Sequence, residues 1–309
     1  GERAAGGCLF VNLEPCSHQG LTPPCTDAVI AGRLAKVVAC HKDPDARVAG
    51  RGFEALRRAG IKVETGGLCR EAIALNLAFV TRHLLDRPAV TLKWAMSADG
   101  RIATSSGESQ WISSPEGRRW ALELREEHDA ILVGSGTALV DNPSLNRRLG
   151  KAERPNLRVI LDRRLRIGPK ARMFEMDGEV VIYTESQAHD RIEALEARSA
   201  TVRVLPKADL PTVLTDLSTR GVQSLLVEGG AEVLGSFVAS CLFDRVEICW
   251  APLLIGGAGA PGPLAGEGIQ RLAAAPRIED RRVRHRGPDL ISSGFREGFL
   301  AELEGLLSC

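Results

Sequence analysis

Apolar positions along the chain fall into two repeating patterns. Strand-like runs occur at CLFVNLE (8–14), AKVVACH (35–41) and IKVETGG (61–67), with helical patterns between them around residues 25–32 and 52–60. In GFEALRRAG, Phe53, Leu56 and Ala59 recur at three-residue steps and share one helix face, and Gly60 is placed to cap its C-terminus. Strands alternating with helices predict a mainly parallel sheet. A second set of strands is predicted at AVTLKWAMS (89–97), AILVG (130–134), LRVILD (157–162), EVVIYT (179–184), VRVL (202–205), SLLVEGG (224–230) and DRVEICWAPLLIG (244–256). Ser114-Pro115-Glu116 predicts a helix start: the hydroxyl caps, Pro fits where no N–H is needed, and the acid suits the helix dipole. That helix should run to about Glu127, and a second should occupy 231–240. A short amphipathic helix is expected at the C-terminus, with Phe299, Leu300, Leu303, Leu306 and Leu307 apolar. The Gly/Pro-rich run 256–266 reads as a loop.

At 309 residues the chain favours two domains, with a join near Asp86-Arg87-Pro88. Hydrophobic residues make up 44% and charged residues 26%, ordinary for a soluble protein. A net charge of +1 gives no long-range attraction for nucleic acid or an acidic membrane, so neither is expected as a partner and a small molecule is. The eight cysteines are too sparse for a secreted disulfide scaffold. Cys8 and Cys40 lie in apolar runs and are predicted to be buried free thiols, which fits a cytoplasmic protein. No run reaches the ~18 apolar residues of a membrane span. The first residue is Gly rather than Met, so the chain is expected to be a fragment or a processed product.

The sharpest local pattern is Leu13-Glu14-Pro15-Cys16-Ser17-His18-Gln19-Gly20-Leu21-Thr22-Pro23-Pro24-Cys25. Cytidine-type zinc deaminases hold the metal with one His and two Cys thiolates and leave a fourth position for an acidified water. A Glu in an H-x-E motif shuttles protons there without binding metal. Read alone, Cys16 and Cys25 are equally two nearby free thiols.

PCSHxGxTPPC, followed by DPDARVAGRGFEALRRAGIKV (43–63), resembles the deaminase domain of the bifunctional riboflavin-biosynthesis pyrimidine deaminase/reductase family. The resemblance implies that Cys16 and Cys25 are two zinc ligands. The family's H-x-E lies upstream of the first cysteine, where this sequence offers only GERAAGG. The third ligand and the catalytic Glu are therefore absent. His18 or His41 would have to substitute within a strict tetrahedron, so the chain is expected not to deaminate as it stands.

From Pro88 the resemblance continues through the family's reductase domain, in VTLKWAMSADGRIAT (90–104), the block at 106–148, LVEGGAEVLGSF (226–237) and APLLIGG (251–257). It implies an α/β fold in which an incomplete cytidine-deaminase-like domain (1–86) precedes a dihydrofolate-reductase-like domain (87–309). It also implies reduction, with NADPH, of 5-amino-6-(5-phosphoribosylamino)uracil to the ribityl product, and a homodimer through the reductase domains. Ala95, Trp111, Thr137, Asp141 and the segment Gly230, Ala231, Glu232, Val233, Leu234, Gly235 and Ser236 are implied cofactor contacts. Ser109, Arg125, Leu145, Arg148 and Glu228 are implied substrate contacts.

The residues themselves support a consistent reading. Glycine-bearing turns follow two predicted strands, at Gly134-Ser135-Gly136-Thr137 and at Glu228-Gly229-Gly230-Ala231. Such turns let backbone N–H groups approach a pyrophosphate, and the second leads into a helix N-terminus. They are also common as tight connections. A phosphosugar needs cations, and the Arg fork matches phosphate. Arg118 and Arg125 are seven apart and share a helix face, although such residues are often solvated. Lys93 and Asp99 are weaker candidates for orienting the ribose. Arg163-Arg164 is either a site for the cofactor 2′-phosphate or plain surface charge. No residue is singled out as the proton donor. Two other readings compete: zinc deamination as the main activity, and a non-catalytic remnant of an enzyme scaffold.

Overall fold

The computed structural model describes residues 2–150 and 155–307. The chain divides into two units, one running to Asp86 and including the segment from Gly298 on, the other running from Arg87 to Glu297.

The first unit alternates β1 (Cys8–Val11), α1 (Cys25–Ala31), β2 (Lys36–Ala39), α2 (Arg51–Arg58) and β3 (Lys62–Thr65), then adds α3 (Cys69–Leu75) and α4 (Leu77–Leu85). The three strands are parallel in the order β1-β2-β3. Val29, Val37, Leu56 and Ile61 form the core beneath one sheet face, and α2 buries Phe53 and Leu56 as its spacing predicts. Cys8 and Phe10 point to the other face of edge strand β1 and are exposed, so Cys8 is not the buried thiol expected. Cys40 is only partly buried, and Cys69, buried at the start of α3, is disulfide-bonded rather than free. The C-terminal helix Phe299–Leu307, expected within 87–309, packs instead on α3 and α4 through buried Phe299, Leu300, Leu303 and Leu307.

The second unit contains β4 (Ala89–Ser97), α5 (Pro115–Glu127), β5 (Ala130–Gly134), α6 (Ser135–Val140), β6 (Leu157–Leu161), β7 (Val180–Thr184), α7 (His189–Glu196), β8 (Ala200–Val204), α8 (Leu210–Thr219), β9 (Ser224–Val227), α9 (Ala231–Ala239), β10 (Arg245–Ala251), β11 (Ile278–Arg286) and β12 (Asp289–Arg296). Its sheet has the order β11-β12-β10-β4-β9-β5-β6-β7-β8. All pairings from β10 through β8 are parallel, and β12 and β11 add antiparallel at one edge. β5 is buried throughout because both its faces are covered. Ala130 and Leu132 join a core closed by Val213, Leu217, Leu234 and Phe237 of α8 and α9. Ile131 and Val133 join one closed by Trp120, Leu124, Ala138 and Leu195 of α5, α6 and α7. Among the described residues no helix is long and apolar enough to cross a membrane.

The start of α5 is fixed as the Ser-Pro-Glu sequence predicts. Ser114 Oγ accepts the Gly117 N–H at 3.1 Å, and the Ser114 N–H and hydroxyl both donate to buried Asp289 at 2.9 and 2.7 Å. A side chain at Gly117 would place its Cβ 2.0 Å from the same carboxylate. β10 stops at Ala251, short of the predicted 256, because Pro252 has no N–H to continue the ladder. The β11–β12 hairpin carries no alternating signal in its charged first strand. That strand is a sheet edge, and most of its side chains are exposed.

Candidate active site

Parallel strands deliver their following loops to one end of the sheet, the usual place for a ligand crevice. The ends of β5 and β9 are joined there: the Glu228 N–H donates to Leu132 O at 3.0 Å and the Gly134 N–H to Gly229 O at 2.9 Å. The expected turn at 134–137 is in fact the first turn of α6. It faces the first turn of α9 so closely that a Cβ on Gly230 would lie 2.9 Å from Thr137 Oγ1, and one on Gly134 would lie 2.7 Å from Val233 Cγ2. Thr137 and residues 230–233 therefore line one narrow place, with the N-terminal N–H groups of a nine-residue helix at its wall. These glycines let the two turns approach each other this closely.

Beside these turns Glu228 meets Arg125, from the last turn of α5, in a two-pronged pair of 2.6 and 2.8 Å. Both side chains are almost wholly buried. Burial alone would raise the Glu228 carboxyl, but the Arg125 and Lys93 cations outweigh it and hold the group at about 2. Arg148 lies on the following loop and donates to Asn146 Oδ1 at 3.0 Å and to Ser144 Oγ. Partial burial and the Arg125 and Arg172 cations lower its pKa against the opposing pull of the Glu228 carboxylate. Cations crowded together, with Glu228 as the acid between them and already paired to Arg125, are what an anionic group such as a phosphate would help neutralise.

The loop is held in place by a residue the sequence did not single out. Arg147 donates to Arg125 O at 3.1 Å and to His128 O at 2.5 Å, tying the loop to the end of α5. Leu145 adopts φ +48° with its side chain buried in the core, so a ligand contact there falls to its backbone. His128, buried below, donates from Nδ1 to Leu124 O at 2.7 Å and accepts at Nε2 from Thr91 Oγ1 at 3.0 Å. Burial lowers its pKa from 6.5 to about 4. A base with a depressed native pKa adds stability above its unfolded pKa and loses it as pH falls. The unit should thus lose roughly 3 kcal/mol between about pH 6.5 and 4. Denaturant melts across that range should show the loss flattened in His128→Gln.

The other predicted residues lie on several elements. Trp111 is exposed, with the Arg118 guanidinium 4.6 Å from its ring centroid, and Arg118 also donates to Ser113 O at 2.8 Å. Ser109 and Ala95 are half-buried. Asp141 ends α6 at the surface. Within α9, Leu234 faces the core, Gly235 packs against Ala265, and Ser236 donates to Glu232 O at 2.8 Å, leaving the earlier residues closest to Thr137. Asp99 is exposed, yet Ser97 Oγ and the N–H groups of Ile255 and Gly256 all donate to it. Arg163 and Arg164 are exposed just beyond β6.

In the first unit the Cys25 N–H donates to Cys16 Sγ at 3.3 Å, and contact with the Cys16 thiol raises the Cys25 pKa. Glu14, next to the motif, is a buried structural carboxylate: the N–H groups of Asp43, Gly50, Gly52 and Phe53 donate to it at 2.8–3.2 Å. Among the described residues no cluster of three His, Cys, Asp or Glu could hold a metal ion. The residues present do not complete a zinc site.

Residues 88–292 match the family model described as RibD C-terminal domain. The riboflavin biosynthesis protein RibD of Bacillus amyloliquefaciens is 40% identical over 296 residues, 94% of this chain and 79% of that protein. A solved Thermotoga maritima diaminohydroxyphosphoribosylaminopyrimidine deaminase/5-amino-6-(5-phosphoribosylamino)uracil reductase is similar with a TM-score of 0.82 and 34% identity, covering 94% of this chain and 80% of that one. Acinetobacter baumannii RibD is similar with a TM-score of 0.84 and 31% identity, covering 96% and 82%.

Proposed function

Because the chain belongs to the RibD family of riboflavin biosynthesis proteins, we propose that its second unit reduces 5-amino-6-(5-phosphoribosylamino)uracil to the ribityl product with NADPH. The observation that carries this reading is the adjacency of three features: the facing turns of α6 and α9, the buried Glu228–Arg125 pair, and Arg148, which feels the charges of that pair. Thr137 and the first turn of α9 would hold the dinucleotide, with Ala95, Trp111 and Asp141 along its length. NADPH, when bound, supplies the hydride. Arg148 binds the substrate phosphate, while Arg125 keeps Glu228 ionised so that its oxygens accept hydrogen bonds from the pyrimidine N–H groups. Ser109 and the Leu145 backbone complete the substrate side. Fixing the sugar against the nicotinamide in this way removes much of the entropic barrier to transfer.

The 309-residue chain works as a reductase alone in this account. Among the described residues Cys16 and Cys25 contact one another through the Cys25 N–H and the Cys16 Sγ. We also propose a cytoplasmic homodimer through the second unit. The test is a paired assay. The chain should oxidise NADPH in the presence of the phosphoribosylaminouracil, and should release no ammonia from the diaminopyrimidine precursor with zinc added. Deamination at a comparable rate would contradict the second part, and absence of substrate-dependent NADPH oxidation the first.

A further inference from the structure

The loop after β4 and the Gly/Pro-rich segment 256–266 are fastened together, and the segment is fastened in turn to α9. Asp99 Oδ1 accepts from Ser97 Oγ at 2.6 Å and from the Ile255 N–H at 3.1 Å, and Oδ2 accepts from the Gly256 N–H at 2.7 Å. These donors, Ser97 foremost, keep the carboxyl ionised well below the usual carboxylate range, at about 2. Gly256 and Gly257 take φ of +68° and +83°, so the chain reverses where Asp99 grips it. Two residues on, Arg101 Nη1 donates to Ala260 O at 2.8 Å and the Ile102 N–H donates to Pro261 O at 3.0 Å. At the far end the Ala265 N–H donates to Ala231 O at 3.0 Å, and Gly235 admits the strap only because it has no side chain: a Cβ there would lie 1.8 Å from Ala265 O.

The segment has little core of its own. Ala260 is buried, but Leu264 is exposed and most of the remaining residues are open to solvent. Its position is therefore set by polar pins rather than by apolar burial. One end is held at the mouth of β4, four residues past Ala95, and the other rests on the first turns of α9.

We propose that Asp99 is a positioning residue for the dinucleotide: by pinning the 256–266 strap it holds the first turn of α9 in register with the end of β4, so that both sides of the cofactor site are fixed before binding. This rests on the reading of α9 as the cofactor cradle. Asp99 is outside the hydrophobic core, and its loss should loosen the strap while leaving the sheet folded.

The experiment compares the wild-type chain with Asp99→Ala, Asp99→Asn and Arg101→Met. NADPH affinity is measured by fluorescence titration, the substrate KM at saturating NADPH, and thermal stability in parallel. Asp99→Ala should weaken NADPH binding roughly ten- to hundredfold through misplacement of the cradle. The substrate KM should stay near wild type and the melting temperature should shift by no more than about 2 °C. Asp99→Asn keeps an acceptor for Ser97 and Ile255 but can turn an amide toward the Gly256 N–H, so it should fall between, and it replaces the Ala variant if that fails to fold. Arg101→Met should weaken NADPH in the same sense. Unchanged NADPH affinity in Asp99→Ala would overturn the inference, as would a joint fall in stability and in both affinities. If the wild-type chain itself does not bind NADPH, the cofactor reading fails instead, which is a distinguishable result.

Discussion

Arg125→Ala is expected to lower reductase kcat/KM by roughly a thousandfold or more, the scale of losing a preorganised charged group in a buried site. It should also destabilise the unit by about 3–5 kcal/mol, because removing one member of a buried pair leaves the other charge uncompensated. The geometry requires both effects. Arg125 and Glu228 are almost fully buried and share two short hydrogen bonds. Without the guanidinium, burial pushes the Glu228 carboxyl up from about 2, toward the neutral form. It would then lose acceptor capacity for the substrate. Adding Glu228→Gln to Arg125→Ala should recover much of the lost stability, since the buried charge is gone, and none of the activity. Denaturant melts and steady-state kinetics on the two variants separate these effects. Recovery of activity in the double variant would contradict the role given to the pair.

Arg148→Ala is the second large expected effect. Its guanidinium touches only neutral groups, Asn146 and Ser144, while Arg125 and Arg172 crowd it with like charge. An incoming phosphate relieves that repulsion and gains charge-assisted bonds worth about 1.5–3 kcal/mol each. The substrate KM should rise roughly ten- to hundredfold, with kcat less affected and stability unchanged or slightly improved. The same substitution should make little difference to a substrate analogue lacking the phosphate. An equal loss with both substrates would remove Arg148 from the phosphate site.

The strands of the second unit were legible because most are buried on both faces, so their apolar runs are nearly continuous. The start of α5 was legible because Ser114, Pro115 and Glu116 each satisfy a local requirement of a helix end. The facing turns after β5 and β9 were legible as glycines following strands. What stayed hidden depends on partners far away in sequence. Asp99 looked like a ribose ligand, yet the N–H that occupies its Oδ1 belongs to a residue 156 positions on. Arg118 has the spacing to share a face with Arg125, but a neighbouring aromatic ring captures it, and helical periodicity carries no information about that choice. Arg158 reads as an isolated polar residue in a strand, and is in fact a buried cation donating to the carbonyls of Met173, Met176, Asp177 and Gly178. The C-terminal helix was visible from its Leu spacing, but the surface it covers, on α3 and α4, was not.

One crevice at the carboxyl ends of β4, β5 and β9 is proposed to take a dinucleotide and a phosphosugar side by side. A crystal structure of the chain with NADP⁺ and ribose 5-phosphate addresses it directly. The pyrophosphate should sit on the N–H groups at the start of α9 opposite Thr137, with the sugar phosphate on Arg148 and the sugar beside Glu228. Occupancy of separate surfaces by the two ligands, or a dinucleotide bound away from α9, would contradict the account.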